Sequence, residues 1–314
     1  MKYAKEYSPA EHRYLAEILW VARKFQVDPD RIYLTGMSMG GSGSLGLGMA
    51  RGDLFAAMMI TVPAATDHVF FRMGFPERTA VERKPTTPPA AHPAGPTLQM
   101  NRTADYLARV TARTRPDAPP IINFTSQIDG WSENQENLIE ACRDGRHLMI
   151  FTWAQFGHSS GHAATDPAVQ EFPWMSIRRN EAYPVFTNAT SDQVYPGRHV
   201  TDHGDQQGQI NGYFRWKAKE DTERRWTMEL SLVTAKSLTT TRPLTIPDSA
   251  IVDITPRRLQ KFVVTAGASY RWSLHEGDRT HQSGEVSADK LGLLTIPRVT
   301  VTASPRTLVL ESSP

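Results

Sequence analysis

The stretch Arg31-Ile-Tyr-Leu-Thr-Gly36-Met37-Ser38-Met39-Gly40-Gly41 constrains this chain more than any other part of it. Arg31 to Thr35 is β-branched and aromatic and reads as a buried strand, while the small-residue run Gly41 to Ala50 reads as a helix. Between them stands Gly-x-Ser-x-Gly. A strand that turns into a helix over so few residues needs a strained corner, and glycine supplies it where a Cβ would collide. A side chain at Gly36 or Gly40 is expected to strike the neighbouring strand or helix. Ser38 is then lifted to the tip of the corner. Met39 follows it at a helix N-terminus, where its backbone N–H faces a region that favours negative charge.

The rest of the first half alternates strands with helices. Ser8-Pro-Ala-Glu11 has the form of an N-cap with proline at N1. Tyr14, Leu15, Ile18, Leu19, Ala22 and Phe25 then fall at helical spacing, predicting an amphipathic helix that ends before Val27. Phe55 to Pro63, Pro120 to Thr125 and His147 to Trp153 are apolar runs of the kind found in covered parallel strands. Glu133 to Arg143 and Asn101 to Thr114 read as helices, and the proline-rich Val81–Pro96 as a surface excursion. This alternation predicts an α/β fold with a parallel sheet of about four strands and right-handed crossovers.

After about Tyr195 the period changes to two. Strands are predicted at Gln209–Lys217, Trp226–Val233, Ser249–Ile254, Gln260–Thr265, Tyr270–Leu274, Leu291–Ile296 and Thr307–Leu310. Short spacings and turn residues between them point to an all-β sandwich. The expected organisation is therefore an α/β domain over 1–183, a linker over 184–205 and a β-sandwich over 206–314.

A serine at such a corner becomes a nucleophile when a base reaches it and an acid orients the base. Ligands bind beyond the carboxyl ends of the strands in open α/β sheets, so both partners are sought there. The third predicted strand runs into Asp129-Gly130-Trp131, and the fourth into Phe156-Gly157-His158. The order is Ser38…Asp129…His158. Ser38 is assigned as nucleophile, His158 as general base and then acid, and Asp129 as the orienting carboxylate. His162 is an alternative base and Asp67 an alternative acid. Asp67, His68, Trp131, Phe156 and His162 are candidates to line a substrate pocket, while Trp153 reads as a core aromatic.

On these motifs, residues 9 to about 175 resemble the C-terminal half of an α/β-hydrolase. The likeness is closest to feruloyl-esterase, acetylxylan-esterase and polyester-depolymerase-like branches, and also extends to prolyl-oligopeptidase-type catalytic domains. The resemblance implies hydrolysis through an acyl-enzyme without a cofactor, and an oxyanion donor at the Met39 N–H. It implies ester substrates, with acetyl or feruloyl esters of plant polysaccharides favoured over a peptide. Such hydrolases usually carry four strands before the corner strand, one of them leading to a second oxyanion donor. Here only 37 residues precede Ser38. The corner strand is therefore expected at an exposed sheet edge, covered by a second copy of the chain or by a local segment, and the second donor must come from elsewhere. The β-module resembles those appended to polysaccharide-active proteins, with Trp216, Trp226, Tyr270 and Trp272 as candidates for a sugar platform. A binding or scaffold protein with an idle hydrolase half is the reading from another class.

Charge and composition exclude several other classes. A formal net charge of +2 gives no electrostatic case for nucleic acid or an anionic membrane surface. No apolar run approaches the roughly 20 residues of a membrane span. His199, Asp202, His203 and Asp205 lie among glycines at a spacing that fits no standard zinc site, so no metal is expected. The lone Cys142 excludes an internal disulfide. The N-terminus lacks the apolar core of a signal peptide, so export would require a segment upstream of Met1.

Overall fold

The structure, a computed structural model, describes residues 9–64, 117–132, 135–197 and 207–312. The expected helix forms α1 (Pro9–Lys24), followed by β1 (Tyr33–Met37), α2 (Met39–Ala50) and β2 (Ala57–Thr61). Strand β3 (Ile121–Ser126), helix α3 (Gln135–Gly145) and strand β4 (Met149–Ala154) complete the α/β part. Strands β1 to β4 are parallel neighbours in sequence order, and β6 (Gly208–Ile210) adds antiparallel to β4. This is the expected α/β arrangement, a parallel sheet of four strands with helices between them. Strand β1 extends two residues beyond the predicted run, and it is half exposed rather than buried because it forms the sheet edge among the described residues. Beside it, Tyr14, Trp20 and Phe25 of the α1 region are also exposed, with Trp20 and Phe25 edge to face. Among the described residues, no helix is long and apolar enough to cross a membrane.

The alternation of strand residues sends apolar side chains to both faces of this sheet. Met58, Ile60, Ile121, Met149, Phe151 and Trp153 point to one face, where Leu45 and Met49 of α2 and Leu138 and Cys142 of α3 cover them. Ala57, Ile122, Phe124 and Ile150 point the other way. There the covering residues come from the 168–186 segment and from the β-module, in a single continuous core. The β-module is thus the second covering layer of the parallel sheet.

The module consists of two antiparallel sheets. One orders β11 (Arg279–Ser287), β10 (Ser269–Glu276), β13 (Arg306–Ser312), β8 (Arg225–Leu232) and β7 (Phe214–Asp221). The other orders β12 (Ile296–Thr302), β9 (Ser249–Arg257) and β5 (Tyr183–Thr187). Several sequence expectations change here. Residues 184–187, read as the start of a linker, form β5 and pair with β9. The single strand expected over Gln209–Lys217 is broken by Asn211, whose φ is +60°. Gln260–Thr265 is not a strand, because the Asp221 carboxylate accepts the N–H groups of Gln260, Lys261 and Phe262 in place of a ladder. Leu291–Ile296 is mostly a turn, in which Asp289 Oδ1 accepts from the N–H groups of Leu291 and Leu293. Trp226, Tyr270 and Trp272 are buried in the module core and Trp216 packs against it, so they form no exposed sugar platform. The predicted helix at 101–114 and the 199–205 histidine and aspartate group lie outside the described residues.

An ion pair fastens the module to the sheet. Arg257 of β9, almost fully buried, donates from Nε to Asp117 Oδ1 at 2.9 Å, just before β3. Arg258 donates to the carbonyl oxygens of Phe55 and Ala56. Burial alone would raise the Asp117 carboxyl, but the Arg257 charge and the hydrogen bonds from Arg257 and the Arg258 N–H outweigh it and hold the pKa below the usual value. A lowered carboxylate pKa stabilises the fold above the unfolded value of ~3.9, and that stability is lost as pH falls through the folded value. Asp117→Ala strands the Arg257 charge, and a loss of about 3–5 kcal/mol is expected in urea unfolding at pH 7. The loss should shrink below pH 4; a variant as stable as the parent at pH 7 would refute the clamp.

Candidate active site

The corner after β1 holds Ser38 at φ +59° and ψ −125°, a conformation costly to any non-glycine residue. Three contacts fix it. The Ser38 N–H donates to Thr61 O at 2.9 Å, Ser42 N–H donates to Ser38 O, and Ser42 Oγ bonds Ala64 at the end of the neighbouring strand. Val62, just past β2, also has a positive φ, +43°, so strain is stored on both strands beneath the serine. Gly36 behaves as expected: a Cβ there would lie 2.3 Å from Gly40 O. Gly40 does not, since a Cβ would meet nothing within 4 Å. The close approach belongs instead to Gly41, whose Cβ would lie 3.1 Å from Gly36 O and 3.2 Å from Thr61 O. Backbone against backbone cannot give way, so Gly36→Ala is expected to remove several kcal/mol, at the upper end of point-mutation effects. Thermal unfolding checks this, with Gly40→Ala as the tolerated control.

The two loops that sequence order singles out converge on this serine. His158 Nε2 lies 2.7 Å from Ser38 Oγ, and His158 Nδ1 lies 2.9 Å from Asp129 Oδ1. Asp129 follows β3 and is 2% exposed. Its carboxylate is fixed by the Trp131 N–H at 3.0 Å and the Ser132 hydroxyl at 2.8 Å. This is an Asx-type turn in which the aspartate bonds its own following residues. The Asp-Gly therefore is a turn, and the turn is what aims the carboxylate. His158 follows β4 in a loop bent at Gly157, where φ is +67°. Ser126 Oγ accepts from the Phe156 N–H and ties that loop to the end of β3. The His158 side chain is 43% exposed, so one end of the imidazole is held by a buried carboxylate while the other stands at the open serine.

Trp131 is buried and sits edge-on to the His158 ring at 6.2 Å, while Phe156 is partly buried in the same loop. Trp153 is in the helix-side core, as its sequence context implied. Met37 and Met39, on either side of the serine, are both exposed. Met39 begins α2, so its N–H has no carbonyl one turn earlier in the helix to bond. His162 opens a short 3-10 turn (His162–Ala164), but its side chain, with all of Asp67 and His68, lies outside the described residues. Sequence reasoning missed Ser132 and Ser42, which support Asp129 and the corner. Only their short distance from the singled-out residues marked them.

No protein-family model and no curated protein matches this sequence. Among solved structures, the chain is similar to an S-formylglutathione hydrolase from Staphylococcus aureus, at 18% identity over 52% of this chain and 61% of that one, with a TM-score of 0.36. It is similar to a ferulic acid esterase at 18% identity, covering 52% and 63%, with a TM-score of 0.35. A fluorophosphonate-binding serine hydrolase of Staphylococcus aureus matches at 16% identity, covering 52% and 62%, with a TM-score of 0.39. The chain thus spans less than two thirds of the length of each.

Proposed function

We propose that the protein is a serine carboxylesterase. The observation that carries this reading is the imidazole of His158 bridging hydroxyl and carboxylate at 2.7 and 2.9 Å. Ser38 Oγ attacks the ester carbonyl carbon as its proton passes to His158 Nε2. Asp129 accepts from Nδ1–H, which selects the tautomer with a free Nε2 and stabilises the imidazolium that forms. Negative charge gathers on the former carbonyl oxygen, where the Met39 N–H at the start of α2 is the donor assigned to it. The tetrahedral species collapses, the C–O bond to the alcohol breaks, and the alcohol leaves with the proton from Nε2. A water molecule then attacks the acyl-serine by the same route in reverse, releasing the acid and restoring Ser38.

Ester substrates without a required charge fit best. The loops at 36–42, 126–132 and 153–161 contain no charged residue apart from Asp129, and no titratable one besides it and His158. Among the described residues, these three loops have no side chain besides Asp129 and His158 that would bind a substrate carboxylate or ammonium. Acetyl or feruloyl esters of plant polysaccharides are the favoured class, with Trp131 and Phe156 proposed to line the acyl side. The test is stoichiometric labelling of Ser38 by a fluorophosphonate, read by mass spectrometry, together with hydrolysis of p-nitrophenyl acetate. A protein that is folded yet neither labels nor hydrolyses any p-nitrophenyl ester would end this reading.

A further inference from the structure

The loop that carries His158 is bonded to itself. Ser159 Oγ donates to Phe156 O and accepts from the Gly161 N–H, and the Ala164 N–H donates to Gly161 O at 3.0 Å. A Cβ at Gly161 would lie 2.9 Å from Ser159 Oγ and 3.0 Å from Phe156 Cβ, so the two limbs of the loop touch. Such a block shifts as one piece, and the imidazole shifts with it. Ser126 Oγ holds its near end through the Phe156 N–H at 3.3 Å.

Its far end is held from the β-module. Arg242 lies in the connection between β8 and β9. Its Nη1 donates to Ala163 O at 2.9 Å and to Thr165 O at 2.8 Å, and its Nη2 to Ala164 O at 3.4 Å. One rigid planar guanidinium thus spans three consecutive carbonyl oxygens just past the catalytic loop. Gln170, closing the short helix Pro167–Gln170, donates from Nε2 to Ala163 O at 3.2 Å and Thr165 O at 2.7 Å. Arg242 is itself braced. Its Nη2 also donates to Gln207 Oε1, and the N–H groups of Thr239 and Thr240 donate to the Glu171 carboxylate at 2.8 and 3.1 Å. Ala163 and Ala164 are exposed, so water can satisfy their carbonyls if the guanidinium is removed, and Gln170 still holds Thr165 O. What the arginine supplies is therefore placement more than stability. Misplacing a reacting group by ~1 Å can cost about 10²-fold in rate.

We infer that Arg242 is a positioning residue for His158: through its grip on the carbonyl oxygens of residues 163–165, the β-module keeps the base-bearing loop aligned with Ser38. The inference rests on the esterase reading. Arg242→Ala is expected to lower kcat for p-nitrophenyl acetate about 10–100-fold with KM within about twofold. Its thermal midpoint should stay within a few degrees of the parent. Arg242→Lys should recover part of the loss, because an ammonium can still reach one or two of the carbonyls. Free guanidinium ion, at a concentration that does not denature, should raise kcat of Arg242→Ala several-fold and leave the parent unchanged; sodium chloride at the same concentration should do neither. Glu171→Ala, at a solvent-facing carboxylate, loosens the 239–242 segment and should give a smaller fall in kcat, again at constant KM. Should Arg242→Ala fail to fold, Arg242→Lys and Glu171→Ala still decide the matter. An active parent whose variants keep kcat, lose it together with KM, or gain nothing from guanidinium would overturn the positioning role and leave the esterase reading standing. A folded parent that neither takes up fluorophosphonate nor hydrolyses p-nitrophenyl esters would end both.

Discussion

Replacing Ser38 by alanine is expected to lower kcat for p-nitrophenyl acetate by at least roughly 10⁴-fold, with KM little changed. In the proposed mechanism the hydroxyl is the atom that forms the acyl bond, so its loss leaves only binding and charge stabilisation. His158→Ala should cost a comparable amount, because in that mechanism serine and histidine act as one unit. The double variant should therefore be hardly worse than either single one, a non-additivity that unrelated defects would not produce. Asp129→Asn keeps the hydrogen-bonding shape but reverses the preferred tautomer, and a drop near 10⁴-fold is expected there too. Retention of more than a tenth of the activity in Ser38→Ala would remove this serine from the chemistry.

A fragment ending at residue 183, the boundary that periodicity suggested, is expected not to fold. Ile122, Phe124, Leu148 and Ile150 lie on the sheet face that the 168–186 segment and the β-module cover. Burying a large aliphatic or aromatic side chain contributes about 1.5–3 kcal/mol. Four of them approach the whole of a typical domain's stability, about 5–15 kcal/mol. The cut also removes Arg257 and leaves Asp117 unpaired. Circular dichroism on the fragment should show no cooperative melt, and activity should vanish with the fold. A fragment melting within a few degrees of the full chain would show that the two parts are separable after all.

The meeting of Ser38, His158 and Asp129 was legible because its signals are local. Glycine at 36 has one physical reason, backbone crowding, and the acid and base each follow a strand whose apolar run is plain. What pairs or packs across long separations was not legible. Strand β11 is polar on both sides because it lies at a sheet edge, so no alternation marks it. Strand β5 finds its partner β9 more than 60 residues later, and β6 is too short to carry a pattern. The sharing of one core between the two halves has no sequence signature: a sheet face buried by helices and one buried by another sheet ask for the same residues. Gly40 was misjudged for a related reason, since what a Cβ would meet depends on which neighbouring backbone lies closest.

Cys142, the only cysteine of the chain, lies in the helix-side core, and burial pushes its thiol up to about 12. At neutral pH such a sulfur is protonated and out of reach, so thiol-directed reagents have nothing native to attack. A cysteine placed on the surface then becomes the sole site for a maleimide dye. Fluorescence from the exposed position 194 would report unfolding or association without a cysteine-free background having to be built first.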